Sequence, residues 1–190
     1  MKQTDLMNVH AANEGWLKRY YFARAVFSAS WVVAVLTVAQ HSLAASAVLL
    51  VAYPAWDALA NLVDARRNGG LAANRTQLLN VVASLLVALA LGVALPDMHR
   101  VLAVFGAWAI LSGLLQLGTG LRRWKSYGAQ WAMILSGAQS ALAGAVFIGQ
   151  ARMPAEPTVA TVAGYAGFGA FYFLVSALLL QLRPRRPKAV

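Results

Sequence analysis

A chain of 190 residues that is 60% hydrophobic and only 12% charged carries about half the charge of a soluble domain, and its mean hydropathy is +0.61. The net charge of +10 would on a soluble protein raise nucleic-acid binding, but the basic residues sit in loops and chain ends between apolar runs, so no nucleic-acid partner is expected. Cysteine is absent, which excludes disulfides, thiolate catalysis and Cys-ligated metal centres; His10, His41 and His99 are scattered, so neither a metal site nor a cofactor is expected.

Residues 1–19 are polar with interspersed Leu6, Met7, Val9, Trp16 and Leu17, a pattern that reads either as a short helix on the membrane surface or as a cytoplasmic tail. Residues 20–40 form the first predicted span. Ala45 and Ala47 give an Ala-x-Ala pattern, but it runs straight into further apolar sequence, which favours a second span over a cleaved signal peptide. That span covers residues 43–63 after a tight turn at Gln40, His41 and Ser42. Arg66, Arg67 and Arg75 bracket a helix-breaking loop with Asn68, Gly69 and Gly70.

The third span covers residues 77–95 and ends at Pro96, and the fourth lies within residues 101–121, which carry no charge and meet the roughly 20 apolar residues a membrane helix needs. Arg122, Arg123 and Lys125 follow in a short basic loop. The fifth span covers residues 129–149 and the sixth residues 158–182, separated by a loop with Arg152, Pro154, Glu156 and Pro157. Gly106, Gly113 and Gly120 recur every seventh residue, and Ser136, Ser140 and Gly144 every fourth, with Gly137 beside them. Such stripes let helix backbones approach closely inside a membrane.

With both ends inside the cell, every Lys and Arg except Arg100 and Arg152 falls on the cytoplasmic side, as the positive-inside rule requires. The expectation is an all-α membrane protein, N-in and C-in, with six transmembrane helices over residues 20–182 and a basic cytoplasmic tail at 183–190. Three hairpins, 20–63, 77–121 and 129–182, are suggested by a repeat. Tyr53-Pro54-Ala55-Trp56, Phe105-Gly106-Ala107-Trp108 and Phe168-Gly169-Ala170-Phe171 share a pattern of aromatic, helix-loosening residue, alanine and aromatic. A two-helix unit returns to its starting side, so three copies predict a pseudo-threefold bundle about the membrane normal.

The segment Gly106-Ala107-Trp108-Ala109-Ile110, then Gly113, Gln116 and Arg122-Arg123, then Trp131, Leu135-Ser136-Gly137, Ser140 and Gly144 resembles the HdeD-like family of bacterial inner-membrane proteins, and Leu95-Pro96 resembles the family's proline-containing outer turn. The resemblance covers roughly residues 77–150. It implies six spans in the inner membrane and, through the family's namesake, a link to acid or envelope stress tolerance, with no catalytic residue. The first hairpin departs by turning without proline, and the last by its longer loop.

Asp57 is the one carboxylate well inside a span, and an ionisable group there is a functional candidate. Asn61 and Asp64 follow at helical spacing, while Arg24, Asn80 and Gln116 lie at similar depth. Two readings stand: Asp57 pairs with Arg24 and the amides tie helices together, or the cluster lines a proton or substrate path of a small transporter or channel. Arg183, Arg185, Arg186 and Lys188 serve either as an anionic-lipid site or as a topology signal. Expected partners are the bilayer, anionic lipid, and a homo-oligomer or membrane partner. No nucleophile and base share one face, so an enzyme is not expected.

Overall fold

The computed structural model describes residues 3–95, 97–125 and 130–182, with side chains from residue 13 onward. Pro96, the centre of the second basic loop including Tyr127, the basic tail 183–190 and the side chains of Leu6, Met7 and Val9 therefore lie outside the described residues. The chain is all-helical there: α1 (Gln3–Thr37), a 3-10 turn (Ala39–His41), α2 (Leu43–Arg67), α3 (Arg75–Ala94), α4 (Met98–Arg123), α5 (Gln130–Gln150) and α6 (Val159–Leu182). Six helices are long and apolar enough to cross a membrane. The shortest, α3, has 20 residues and so spans about 30 Å at ~1.5 Å per residue.

The polar N-terminal residues are not set apart from the first span. Helix α1 runs unbroken from Gln3 into the apolar segment, and its start is tied down. Leu17 is buried, Lys18 donates to Gln181 of α6 at 2.7 Å, and the Arg67 guanidinium lies 5.7 Å from the Trp16 ring.

Local signals set three of the helix ends. The Ser42 side chain accepts from the Ala45 N–H at the start of α2. Asp97 caps α4, accepting from the N–H groups of His99 and Arg100; such caps satisfy donors that a helix start leaves open. Gly69 and Gly70 adopt φ of 95° and 88° after α2, a conformation that glycine alone enters without strain. Pro54 lies inside α2, which stays helical throughout. Beside it, the Trp31 indole of α1 donates to the Leu49 carbonyl at 2.7 Å.

The six helices form a ring in chain order, each touching the next and α6 closing onto α1. The most extensive packing is α4 with α5, α1 with α6, and α2 with α3, so the closest pairs are offset by one helix from the hairpins. Small residues explain the tightest pair. A Cβ on Gly113 would fall 2.6 Å from the Gly137 carbonyl oxygen, one on Gly106 would fall 2.8 Å from that of Gly144, and one on Gly120 would fall 2.9 Å from Ile134. Ser140 lies in the same seam, its Cβ facing Gly113.

Burial compares the even helices. Leu50, Tyr53, Pro54 and Asp57 of α2 are buried, as are Leu102, Phe105, Gly106 and Ala109 of α4, which are the positions the repeat aligns. In α6, by contrast, Phe168 and Phe171 are 57% and 58% exposed. The buried face of α6 runs through Val162, Ala166 and Phe173, which lines up with α2 and α4 three residues earlier, at Tyr165-Ala166. A helix this apolar carries aromatics toward both lipid and core, so the four-residue motif did not distinguish its faces.

The ring has two unlike ends. The loops α2–α3 and α4–α5 are flanked by Arg66, Arg67, Arg75, Arg122 and Arg123 and form the basic end, while the turns α1–α2, α3–α4 and α5–α6, with Arg100 and Arg152, form the turn end. The half toward the turn end is filled by one apolar cluster including Trp31, Val35, Leu50, Leu91, Leu102, Phe105, Phe147 and Val162. Outward, Val26, Leu43, Leu86, Leu89, Val93 and Leu142 are among many exposed large apolar side chains, and no span has more than 39% of its most apolar window buried inside the protein. A surface that apolar is matched to lipid chains.

Candidate functional site

All six polar residues singled out inside the spans, Arg24, Asp57, Asn61, Asp64, Asn80 and Gln116, line one cavity in the basic half of the ring. It runs from Tyr53, Trp108 and Tyr165 at its floor to Tyr20, Asp64, Arg123 and Gln130 toward the basic end. Its volume open to the centres of water-sized molecules is about 90 Å³, several times the ~10–15 Å³ that one buried water requires.

Asp57 is the hub of its wall. Arg24 of α1 pairs with the carboxylate Oδ1 and also donates to the Tyr20 hydroxyl at 2.9 Å. The Asn61 amide donates to Asp57 Oδ2 at 3.0 Å, and the Ser84 hydroxyl of α3 donates to the same oxygen at 2.8 Å. Ser84 in turn accepts from the Trp108 indole of α4 at 2.9 Å, so one chain of hydrogen bonds links four consecutive helices. The Arg24 guanidinium also lies 4.4 Å from the centre of the Phe173 ring, which brings α6 to the same point. Removing such a charge pair from water is costly unless the remaining lone pairs are satisfied, and here they are.

Asp64 anchors a second network nearer the basic end. Its carboxylate accepts from Asn68 at 2.9 Å, from Gln77 at 3.1 Å and from Arg123 at 2.9 Å. The Asp64 side chain is 3% exposed and that of Arg123 18%, so this is a partly buried ion pair joining α2 to α4. Gln116 donates to the Met133 carbonyl at 3.3 Å, a bond from α4 to α5. Asn80 is 7% exposed and lines the cavity without a hydrogen bond to any described residue.

Sequence reasoning missed Arg123, Gln77, Ser84 and Trp108. Arg123 sits in a basic loop, where topology already accounts for an arginine. Gln77, Asn80 and Ser84 follow one another at helical spacing and face the stripe of Asp57, Asn61 and Asp64, so two matched polar stripes on adjacent spans were a usable signal. Trp108 was read as part of a repeat, and its indole N–H found a partner, as buried tryptophans usually do.

The chain matches no protein-family model, no curated protein and no solved structure. The site therefore has to be interpreted on its own geometry.

A second cavity of about 270 Å³ lies in the seam between α5 and α6, bounded by Gln139, Ala143, Phe147, Thr161, Phe168 and Tyr172. It shares Ser136, Ser140, Tyr165 and Gly169 with the first, and a Cβ on Gly164 at its edge would meet nothing within 4 Å. Ser136 and Ser140 thus belong to helix packing and to both cavities. At the turn end, Asp97 is held by the cap and by Arg100 at 3.1 Å, and no group of three His, Asp or Glu residues among those described is arranged to hold a metal. The lipid-headgroup candidates Arg183, Arg185, Arg186 and Lys188 lie outside the described residues.

Proposed function

We propose that this chain is a multi-pass protein of the bacterial inner membrane, of HdeD-like type and with both ends cytoplasmic, that admits a small polar solute into its internal chamber from the cytoplasmic side as part of a transport cycle. The observation that carries this reading is the one-sided cavity: polar residues from every part of the ring line a hydratable space at the basic end, and an apolar plug closes the other end. A protein needing only mechanical integrity gains nothing from such a space, because apolar packing costs no desolvation. The bundle is taken as three related two-helix units, supported by the matching buried faces of α2 and α4. Acid or envelope stress is the physiological setting that the family resemblance implies, and the reading is non-enzymatic.

The saturated Asp57 also assigns roles within the chamber. A carboxylate with an arginine, an amide and a hydroxyl on it is a wall element that sets the geometry of α1, α2 and α3. Solute contacts fall to the groups beside it.

Accessibility tests the reading. The chain has no native cysteine, so a single Thr119→Cys substitution in the chamber wall reports without background. A small, membrane-impermeant thiol reagent should modify it in inside-out vesicles and leave it untouched in right-side-out ones. Protection from both sides would mean a dry bundle with a structural role. In the same preparations, His41→Cys and Met98→Cys should label from the outside and Gly69→Cys only from the inside; outside labelling at 69 would reverse the topology.

A further inference from the structure

The chamber holds hydrogen-bonding capacity that its charges leave unused. Its four ionised side chains cancel in pairs, Arg24 with Asp57 and Arg123 with Asp64. Among the groups left over are two carboxamides on one face of α3. Gln77 is 4% exposed, and its Oε1 has no hydrogen-bond partner. Its orientation is set by Asp64, because the amide N–H must point at the carboxylate, leaving the carbonyl as a bare acceptor. Asn80, three residues on and also more than nine-tenths buried, offers an unpaired donor and acceptor in the same cavity. Across from them Ser112 and Thr119 of α4 add hydroxyls to the lining.

Buried polar groups without partners destabilise a fold. If packing were the only demand on position 80, leucine would serve better there, and the bond from Gln77 to Asp64 does not account for the bare carbonyl of Gln77. We propose that the chamber binds an uncharged hydrogen-bonding group, a polyol or a simple amide, held by Gln77 Oε1 and the carboxamide of Asn80. An ion entering the same space would give up its hydration and find every countercharge already engaged. An uncharged group gives up less and recovers it from the two amides. This inference rests on the chamber being the solute site and names the class of solute.

The same chemistry has two sources. It can arrive as a free solute from the basic end, or as the headgroup of a single-chain lipid whose tail lies in the α5–α6 cavity, which shares Ser136, Ser140, Tyr165 and Gly169 with the chamber as a common wall.

The experiment measures how fast a small thiol reagent modifies Thr119→Cys in the full-length protein in lipid nanodiscs, with glycerol, acetamide, inorganic phosphate or tetramethylammonium present, and with a surface cysteine at position 69 as control. Glycerol or acetamide at about ten times its Kd should slow modification about tenfold, because only the unoccupied fraction reacts, and phosphate and tetramethylammonium should not. Asn80→Leu and Gln77→Leu should each abolish that protection, and Asn80→Leu, which breaks no hydrogen bond among the described residues, should also raise the thermal unfolding midpoint. If monoacylglycerol in the nanodisc protects and Gly164→Leu removes that protection, the lipid is the source; if glycerol protects equally in Gly164→Leu, the source is the free solute. Protection by phosphate or tetramethylammonium, protection that survives Asn80→Leu, or a lowered midpoint in Asn80→Leu overturns the proposal. A cysteine that is labelled but unprotected by either neutral solute sinks this inference alone, whereas a cysteine never labelled sinks the chamber as a solute site. Ser112→Cys serves as reporter if Thr119→Cys does not fold.

Discussion

The two halves of the ring are made from the same six helices and are held together differently. Toward the turn end, Leu50, Leu91, Leu102, Phe105 and Val162 are fully buried against one another, with Phe105 and Trp108 meeting edge to face at 5.8 Å. Toward the basic end, the neighbours are fixed by Arg24, Asp57, Ser84 and Trp108, and by Arg123, Asp64 and Gln77. Lipid chains are as apolar as leucine, so moving an apolar side chain from lipid into the protein gains only better packing. The apolar half therefore depends on close fit and tolerates exchange of one apolar side chain for another of similar shape. The polar half specifies which helix lies beside which, because each donor has a particular acceptor and a mispaired helix would leave a charge in hydrocarbon.

The largest effect that can break this contrast comes from Asp57. Replacing it with alanine leaves Arg24 buried without its counter-ion, and removing one member of a buried pair costs about 3–5 kcal/mol. Thermal unfolding in detergent should show it as a large drop. Asp57→Asn and Arg24→Gln should each cost less, and the double variant should recover part of the combined loss, as coupled neighbours do. Additive losses would mean that the pair does not specify the polar half.

Next comes the seam between α4 and α5. Gly113→Leu places a side chain where even a Cβ would lie 2.6 Å from the Gly137 backbone, and forcing extra atoms into a tight contact costs about 1–3 kcal/mol. Gly118→Ala, where a Cβ would meet nothing within 4 Å, should leave the unfolding midpoint unchanged or slightly raised. Equal losses at both glycines would refute a steric origin.

In the apolar half, Phe105→Ala should cost about 2 kcal/mol, below the ~3–5 of a water-soluble core, because the hydrophobic transfer term is absent between lipid and protein. Phe105→Leu should be close to neutral in the same unfolding assay. A severe loss in Phe105→Leu would show that the apolar half is as shape-specific as the polar one. The smallest effect is at the turn end itself: Asp97→Ala removes a helix cap worth about 1 kcal/mol, and circular dichroism melts should register a modest shift with the chamber unaltered.

Much of the site was legible because polar residues in a membrane span are rare enough to count. Arg24, Asp57, Asn61, Asp64, Asn80 and Gln116 stand out one by one, and the tight turn at Ser42 by its shortness alone puts α1 beside α2. Arg123 was not legible, since an arginine at a helix end has an ordinary topological purpose and nothing local points it inward at Asp64. The register of α6 was lost for a related reason. Phe168-Gly169-Ala170-Phe171 matches its counterparts by letter, yet a helix surrounded by lipid on one side and protein on the other carries aromatics on both faces.

What the sequence by itself determined is the number of spans, the places where the chain turns between them, and the candidate polar groups, all of which follow from the thickness of a bilayer, the breaking of helices by glycine and proline, and the cost of placing a charge in hydrocarbon. What only the tertiary structure decided is how those groups meet. The closure of α6 onto α1, the offset of the closest pairs from the hairpins, and the pairing of Arg123 with Asp64 across 59 residues depend on side-chain fit between distant segments. Hydropathy is a property of one helix at a time and carries no information about its neighbour; a cavity with unpaired carboxamides exists only once several helices have been set around it.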